Sequence, residues 1–278
     1  MITLGFVYIV AGLTFAAFAI LSLNDRTNGK RFGNAAFWAL LAVSFLAGDL
    51  LGDLGNGILV LALVGIAGFG LLGRGETATT SPEARRREAH ARGARLFLPA
   101  LIIPAVALGG TFLFKAFPDL AETGQATIVA LTLGTILALI VCHLWLRPPP
   151  LAPLQEGRKL IDAVGWAAVL PQMLASLGAV FALAGVGEVV GGLAGNAIPD
   201  GSVIGAVAAY CIGMALFTMI MGNAFAAFPV MTAAVGLPLL ILEYQGDAAV
   251  ICAIGMLSGF CGTLCTPMAA NFNIVPAA

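Results

Sequence analysis

Charge is scarce in this sequence: only 10% of its 278 residues are Asp, Glu, Lys or Arg, while 60% are hydrophobic. A soluble domain usually carries about 25% charged residues. A water-soluble chain of this composition would leave apolar surface that it could not hide, so lipid is the expected solvent. Histidine is scarcer still, with His90 in a charged loop and His143 far from it. The five cysteines, Cys142, Cys211, Cys252, Cys261 and Cys265, lie in apolar stretches and form no Cys-x-x-Cys pair. A zinc site takes about four N or S ligands, so the cysteines are expected to be small buried apolar residues. No cofactor is implied. The net charge of −1 gives no reason to expect nucleic acid as a partner. Gly-x-Ser-x-Gly, His-Glu-x-x-His and Walker loops are absent, and no nucleophile, base and orienting group come together. The chain is therefore not expected to be an enzyme, nor to hydrolyse ATP.

What the sequence has instead is long apolar runs and 35 glycines. Small residues let membrane helices approach closely, and a spanning helix needs roughly 20 apolar residues. Nine segments qualify: 1–23, 33–51, 57–73, 96–114, 126–146, 160–186, 202–221, 225–242 and 248–264. The sixth contains Pro171 and Gln172 and is expected to kink or to re-enter the bilayer. The first has its charges, Arg26, Lys30 and Arg31, after the apolar run, whereas a cleaved signal peptide has them before it. It reads as a retained span. The expected fold is an all-α polytopic transmembrane bundle of about nine spans, with broken or re-entrant helices in its C-terminal half.

Lys and Arg label the cytoplasmic side. Loops 24–31, 74–95 and 147–159 hold 12 of the 13 basic residues, and nine spans put all three on one side. The opposite side receives Lys115 with Asp49, Asp53, Asp119, Glu122, Glu188, Asp200, Glu243 and Asp247. This predicts an outside N-terminus and cytoplasmic basic loops in a bacterial-type inner membrane. No Lys or Arg follows Lys159, so the last third has no such label. The basic loop 74–95 contains Ser81-Pro82 before Glu83, a helix start signal. The helix it starts is expected to be a solvated linker, or to lie on anionic headgroups. A proline-rich cytoplasmic linker, 147–159, joins two halves, 1–147 and 159–278, of a single membrane domain. Gly48-Asp-Leu-Leu-Gly-Asp-Leu-Gly-Asn56 echoes Gly187-Glu-Val-Val-Gly-Gly-Leu-Ala-Gly-Asn196, and internal repeats are common in transporters.

Two polar clusters interrupt the apolar last third. One is Met221-Gly-Asn-Ala-Phe-Ala-Ala-Phe-Pro-Val-Met-Thr232. The other is Gly262-Thr-Leu-Cys-Thr-Pro-Met-Ala-Ala-Asn-Phe-Asn-Ile-Val-Pro276. Each combines a helix breaker with Asn and Thr. In lipid an unpaired backbone group costs several kcal/mol, so a broken backbone must line a cavity or be covered by protein. Freed N–H groups at a half-helix start attract a carboxylate, and unwound carbonyls hold a cation. Asn223, Thr232, Thr263, Thr266, Asn271 and Asn273 are the candidate substrate-binding residues; the bland alternative makes them caps at helix ends. Asp49 and Glu188, at expected helix ends, are the coupling-ion candidates. Asp162 lies near the start of the sixth segment. One ion crossing 100 mV supplies about 2.3 kcal/mol for uphill transport.

The stretches Gly222-Asn-Ala-Phe-Ala-Ala-Phe-Pro-Val-Met-Thr232 and Thr266-Pro-Met-Ala-Ala-Asn-Phe-Asn-Ile-Val-Pro-Ala-Ala278 resemble a bacterial membrane family. That family was first catalogued as a domain of unknown function and is identified with one subunit of a two-subunit 5-oxoproline (pyroglutamate) transporter. The resemblance extends over the whole chain, from the Asn24-Asp-Arg loop onward. It implies a second membrane subunit and uptake of a small cyclic carboxylate coupled to H+ or Na+. It also implies a tenth hydrophobic stretch after the Asn-Phe-Asn-Ile-Val-Pro motif, whereas this chain ends at Ala278. It carries no established functional residues. The alternatives are a stand-alone carrier for another small organic anion, acting as a homo-oligomer, and a membrane scaffold or regulatory subunit with no transport path.

Overall fold

The computed structural model describes residues 1–76, 81–122, 124–197, 201–267 and 269. Among these it is helical, with one isolated bridge between Ile2 and Ala121 in place of any strand. Six helices among the described residues are long and apolar enough to cross a membrane. Large apolar side chains, such as Leu50, Leu54, Ile204 and Ile220, stand exposed on them. Surface of that kind needs a lipid solvent, and the architecture is that of a multi-pass membrane protein. The cysteines differ from expectation: Cys261 and Cys265 are exposed and the other three half-buried. A small apolar side chain loses nothing by facing lipid. Two compact units make up the chain, Met1–Gly165 and Trp166–Ala278.

The first unit holds α1 (Leu4–Asn24), α2 (Arg31–Gly68), α3 (Pro82–Arg92), α4 (Leu98–Ala116), α5 (Ala126–Leu146) and α6 (Ala152–Val164). Unbroken, α2 would be 38 residues long, about 57 Å at 1.5 Å per residue. It is not straight. Ala47 and Gly52 leave helical geometry, Gly52 with a φ of 61° that favours glycine. Beyond them the chain folds back. Asn34 at the start of α2 bonds Gly73 beyond its end, and a Cβ on Gly33 would lie 2.0 Å from the Leu71 carbonyl oxygen. Expected spans 33–51 and 57–73 are thus the two arms of a helical hairpin. At its tip Asn56 donates to the carbonyls of Gly48 and Gly52, at 2.8 and 2.9 Å, and so covers the backbone that the break frees. α1 packs on the first arm through Phe15, stacked on both Trp38 and Phe45. Glu122 takes the Leu4 N–H at 2.9 Å and so caps the start of α1. α3 begins where expected, with the Ser81 hydroxyl accepting from Ala84 N. α6 turns two charges inward: Arg158 and Asp162 are buried while Leu160 is exposed.

The second unit opens with a 3-10 turn and α7 (Leu170–Leu183), then α8 (Val186–Ala197), α9 (Val203–Met221) and α10 (Ala224–Met231). A twelve-residue π-helix, Thr232–Glu243, and α11 (Ala248–Leu264) follow. The expected sixth span, 160–186, is not one helix. α6 stops at Gly165, whose φ of 58° an L side chain resists, and the chain restarts as a 3-10 turn and α7. The break thus falls at Gly165, ahead of Pro171. α9 and α11 run parallel and nearly touch. A Cβ on Gly255 would meet the Tyr210 hydroxyl, one on Gly259 would lie 2.9 Å from Ala224 Cβ, and one on Gly262 would lie 2.2 Å from the Ala215 carbonyl oxygen. Only glycine allows that approach.

Candidate functional site

The second unit places a helix break inside its packed core. Gly222 ends α9 in the left-handed conformation, its N–H bonded to Thr218 O at 2.7 Å. Asn223 is extended, and its side-chain oxygen accepts from Phe225 N at 2.7 Å, starting α10. Gly222, Asn223 and Ala224 are all buried. Gly followed by Asn is the pairing a stop and restart requires: glycine tolerates positive φ and asparagine is a preferred N-cap. The N–H groups at the start of α10 carry the positive end of the helix dipole.

The end of α11 lies at the same level. Gly259 abuts Ala224 and Thr218, and Thr263 is one turn further on, with its hydroxyl bonded to Gly259 O at 2.9 Å. Thr266 follows, also buried. The two sequence clusters meet where Gly259 of α11 abuts Ala224, the residue after Asn223; Thr263 and Thr266 lie further along the chain from Gly259 and are buried. The structure adds Thr218, whose hydroxyl is buried and has no hydrogen-bond partner among the described residues. Thr232 is elsewhere. Its hydroxyl pairs with Tyr210 OH at 3.2 Å, some 12 residues or about 18 Å back along α9 from Gly222. Asn271 and Asn273 lie outside the described residues.

The two coupling-ion candidates have different settings. Asp49 is exposed at the tip of the α2 hairpin. Glu188 is exposed on a recess of about 410 Å³ between α8 and the π-helix, lined also by Gly185, Gly187, Gly191, Ala233, Ala234 and Pro238. π-helical stretches often accompany functional sites. The two echoing segments take different forms: 48–56 is a hairpin tip, whereas 187–192 packs on the π-helix, with Gly191 against Ala234 O.

The first unit contains a polar cluster that the sequence pattern did not single out. Asp162 Oδ1 accepts from Asn34 Nδ2 at 2.9 Å and from Trp38 Nε1 at 2.8 Å. Asp162 Oδ2 lies 3.8 Å from Arg158 Nη1, which is itself 2.8 Å from Asp25 Oδ2. Asp25 Oδ1 accepts from Thr27 N and Thr27 Oγ1, at 3.0 and 2.6 Å. Asn34, Trp38, Asp25, Arg158 and Asp162 are all buried. Burial pushes the Asp162 carboxyl above the ordinary aspartate range, against the hydrogen bonds from Trp38 and Asn34 and the charge of Arg158, which lower it; Asp25 adds a smaller upward push. Around the cluster the basic segments meet. Arg74 donates to Ala163 O, Asn28 to Gly73 O, and Arg85 pairs with Glu156. A signal for it existed in two i, i+4 pairs, Asn34 with Trp38 and Arg158 with Asp162, which each place two polar groups on one helix face.

A family model described as "Protein of unknown function (DUF979)" matches residues 5–278. No curated protein and no solved structure matches the chain.

Proposed function

The chain belongs to the DUF979 family, and from that premise we propose that it is a transporter subunit for uptake of a small carboxylate, 5-oxoproline, by ion-coupled secondary transport. The observation that carries this reading is the buried break at Gly222–Asn223, level with the free hydroxyl of Thr218 and the end of α11. Broken helices inside a membrane protein serve ligands when their freed ends face a bound group. Here the N–H groups of α10 and the hydroxyl of Thr218 offer neutral donors to a carboxylate. No Lys or Arg follows Lys159, so the anion is held without a salt bridge and can leave again. An amide-bearing ring such as 5-oxoproline would use Asn223, with Asn271 and Asn273 as further candidates.

The topology that goes with this reading has about nine spans, counting both arms of α2. The N-terminus is outside and the basic loops are on the cytoplasmic side of a bacterial inner membrane. A second membrane subunit completes the carrier, and H+ or Na+ drives it, with Asp49 and Glu188 as candidate ion sites. The test is uptake of labelled 5-oxoproline by proteoliposomes under an imposed gradient, with and without the partner subunit. Uptake is expected with both subunits and should fall strongly in Asn223→Ala at unchanged expression. No uptake with both present removes the substrate; uptake by this chain alone removes the two-subunit claim. Loss of expression in step with uptake assigns Asn223 to folding.

A further inference from the structure

We propose that Asp162 is a proton-binding site, held with Arg158 and Asp25 in a buried clasp that joins α6 to α1 and the α2 hairpin. The site stands on the geometry of the first unit; what its proton drives rests on the transport reading above.

The argument begins with a charge count. Two carboxylates lie within 3.8 Å of one guanidinium, all three nearly shut off from solvent. Fully ionised, these three side chains sum to −1. Burying an ionised carboxyl is costly, and the usual escape is to bind a proton. The hydrogen bonds decide which acid takes it. Asp25 has Arg158 at 2.8 Å on one oxygen and two donors from Thr27 on the other, contacts that favour a charged carboxylate. Asp162 has two neutral donors on Oδ1, while its Oδ2 is 3.8 Å from Arg158, beyond hydrogen-bond reach. Oδ2 is therefore the atom with a lone pair to protonate. The upward push that burial gives this carboxyl agrees with that assignment.

A proton suits the site better than a sodium ion. Sodium needs several oxygens around it, and the Arg158 guanidinium would repel it from a few ångströms away. A proton needs one lone pair. Access is short: a recess of about 470 Å³ is lined by Asp25 and Arg158, with Arg26, Thr27, Gln155 and Glu76. The Ser22 hydroxyl, one turn before Asp25 on α1, is buried with no hydrogen-bond partner among the described residues. It adds a group able to pass a proton. Other charged groups at this end include Arg74, which bonds Ala163 O next to Asp162, Lys30, which bonds Gly70 O, Arg31, which lies over the Phe32 ring, and Lys159 and Arg85, which pair with Glu156. When Asp162 releases its proton, the new negative charge draws Arg158 across the 3.8 Å gap and weakens its hold on Asp25. Proton release thus shifts α6 relative to α1, and the clasp converts protonation into movement.

The test uses the full chain in lipid nanodiscs without substrate. Infrared difference spectra are followed against pH for the carbonyl band of a protonated carboxyl. Wild type should keep such a band above the ordinary aspartate range. Asp162→Asn should lose it, and Asp162→Glu should restore it with a shifted midpoint. A wild-type chain without the band, or a folded Asp162→Asn that keeps it unchanged, overturns the proposal. If the Asn variant does not fold, Trp38 decides, because its indole donates to the same carboxylate. With Trp145→Phe and Trp166→Phe in place, Trp38 fluorescence should change with the midpoint of the infrared band, and a flat response overturns the proposal. Proteoliposomes separate the two readings. Absence of uptake in wild type sinks the transport reading and leaves the titration standing. Uptake by Asp162→Asn that still responds to a pH gradient sinks the coupling role.

Discussion

The two units handle polarity in opposite ways. In the first, charged groups are buried together: Arg158 between Asp25 and Asp162, with Asn34 and Trp38 donating to one oxygen of Asp162. In the second there is no basic residue at all. Its buried polar atoms are amide and hydroxyl groups at helix breaks, and its cohesion comes from glycines that let backbones touch. The first design holds a net charge that can be switched by one proton. The second holds neutral donors whose field is weak enough to release an anion. On the transport reading, a carrier coupled to an ion needs both properties.

The largest expected effect tests the charged side of this contrast. Arg158→Met leaves two carboxylates without their cation, and breaking one partner of a buried ion pair costs about 3–5 kcal/mol. Thermal melting in detergent should show the loss, and adding Asp25→Asn should recover part of it. No recovery would mean that Arg158 matters for its packing alone. The same cluster has a pH signature. Folding raises the Asp162 value, so the folded chain keeps a proton at pH values where the unfolded chain has released it. Stability should therefore fall as pH rises from the ordinary aspartate value through the raised one. Asp162→Asn should flatten that slope, and stability that rises across this window would reverse the assignment.

The neutral unit should break through shape. Gly262→Ala forces a Cβ to within 2.2 Å of the Ala215 carbonyl oxygen, and overpacking of this kind costs about 1–3 kcal/mol. Gly192→Ala on α8 meets open space and should be neutral or slightly stabilising, because alanine is the better helix former. Melting temperatures of the two variants test the claim that contact, rather than glycine content, holds the second unit together.

What was legible in the sequence follows the range of the interactions. Apolar runs are local, and the long helices came from them directly. The stop and restart at Gly222–Asn223 is also local, a left-handed residue followed by a cap. The reversal in α2 was visible only as a gap between two spans, because Gly52 and Asn56 act together through backbone carbonyls that the sequence does not show. The cluster at Asp162 was hidden by distance along the chain. Asn34 and Asp162 are 128 positions apart, and Arg158 taken alone is one more topology label. The polarity of α6 was the clue: Arg158 and Asp162 are inside and Leu160 outside, as the i, i+4 spacing of the two charges permits.

The smallest effect is the sharpest test of the neutral unit. Thr218 Oγ1 is fully buried with no hydrogen-bond partner among the described residues. In an apo protein such an atom is a net cost, because a buried unsatisfied hydroxyl loses its hydration and gains nothing. Thr218→Val keeps the shape and removes the polar atom, so stability should stay level or rise by about 1 kcal/mol. If the hydroxyl is there for a carboxylate, uptake should fall in the same variant. A structural threonine cannot give that pair of results, since its loss would lower stability and uptake together. Raised stability with unchanged uptake would place the anion away from α9, and would leave the break at Asn223 as a fold feature only.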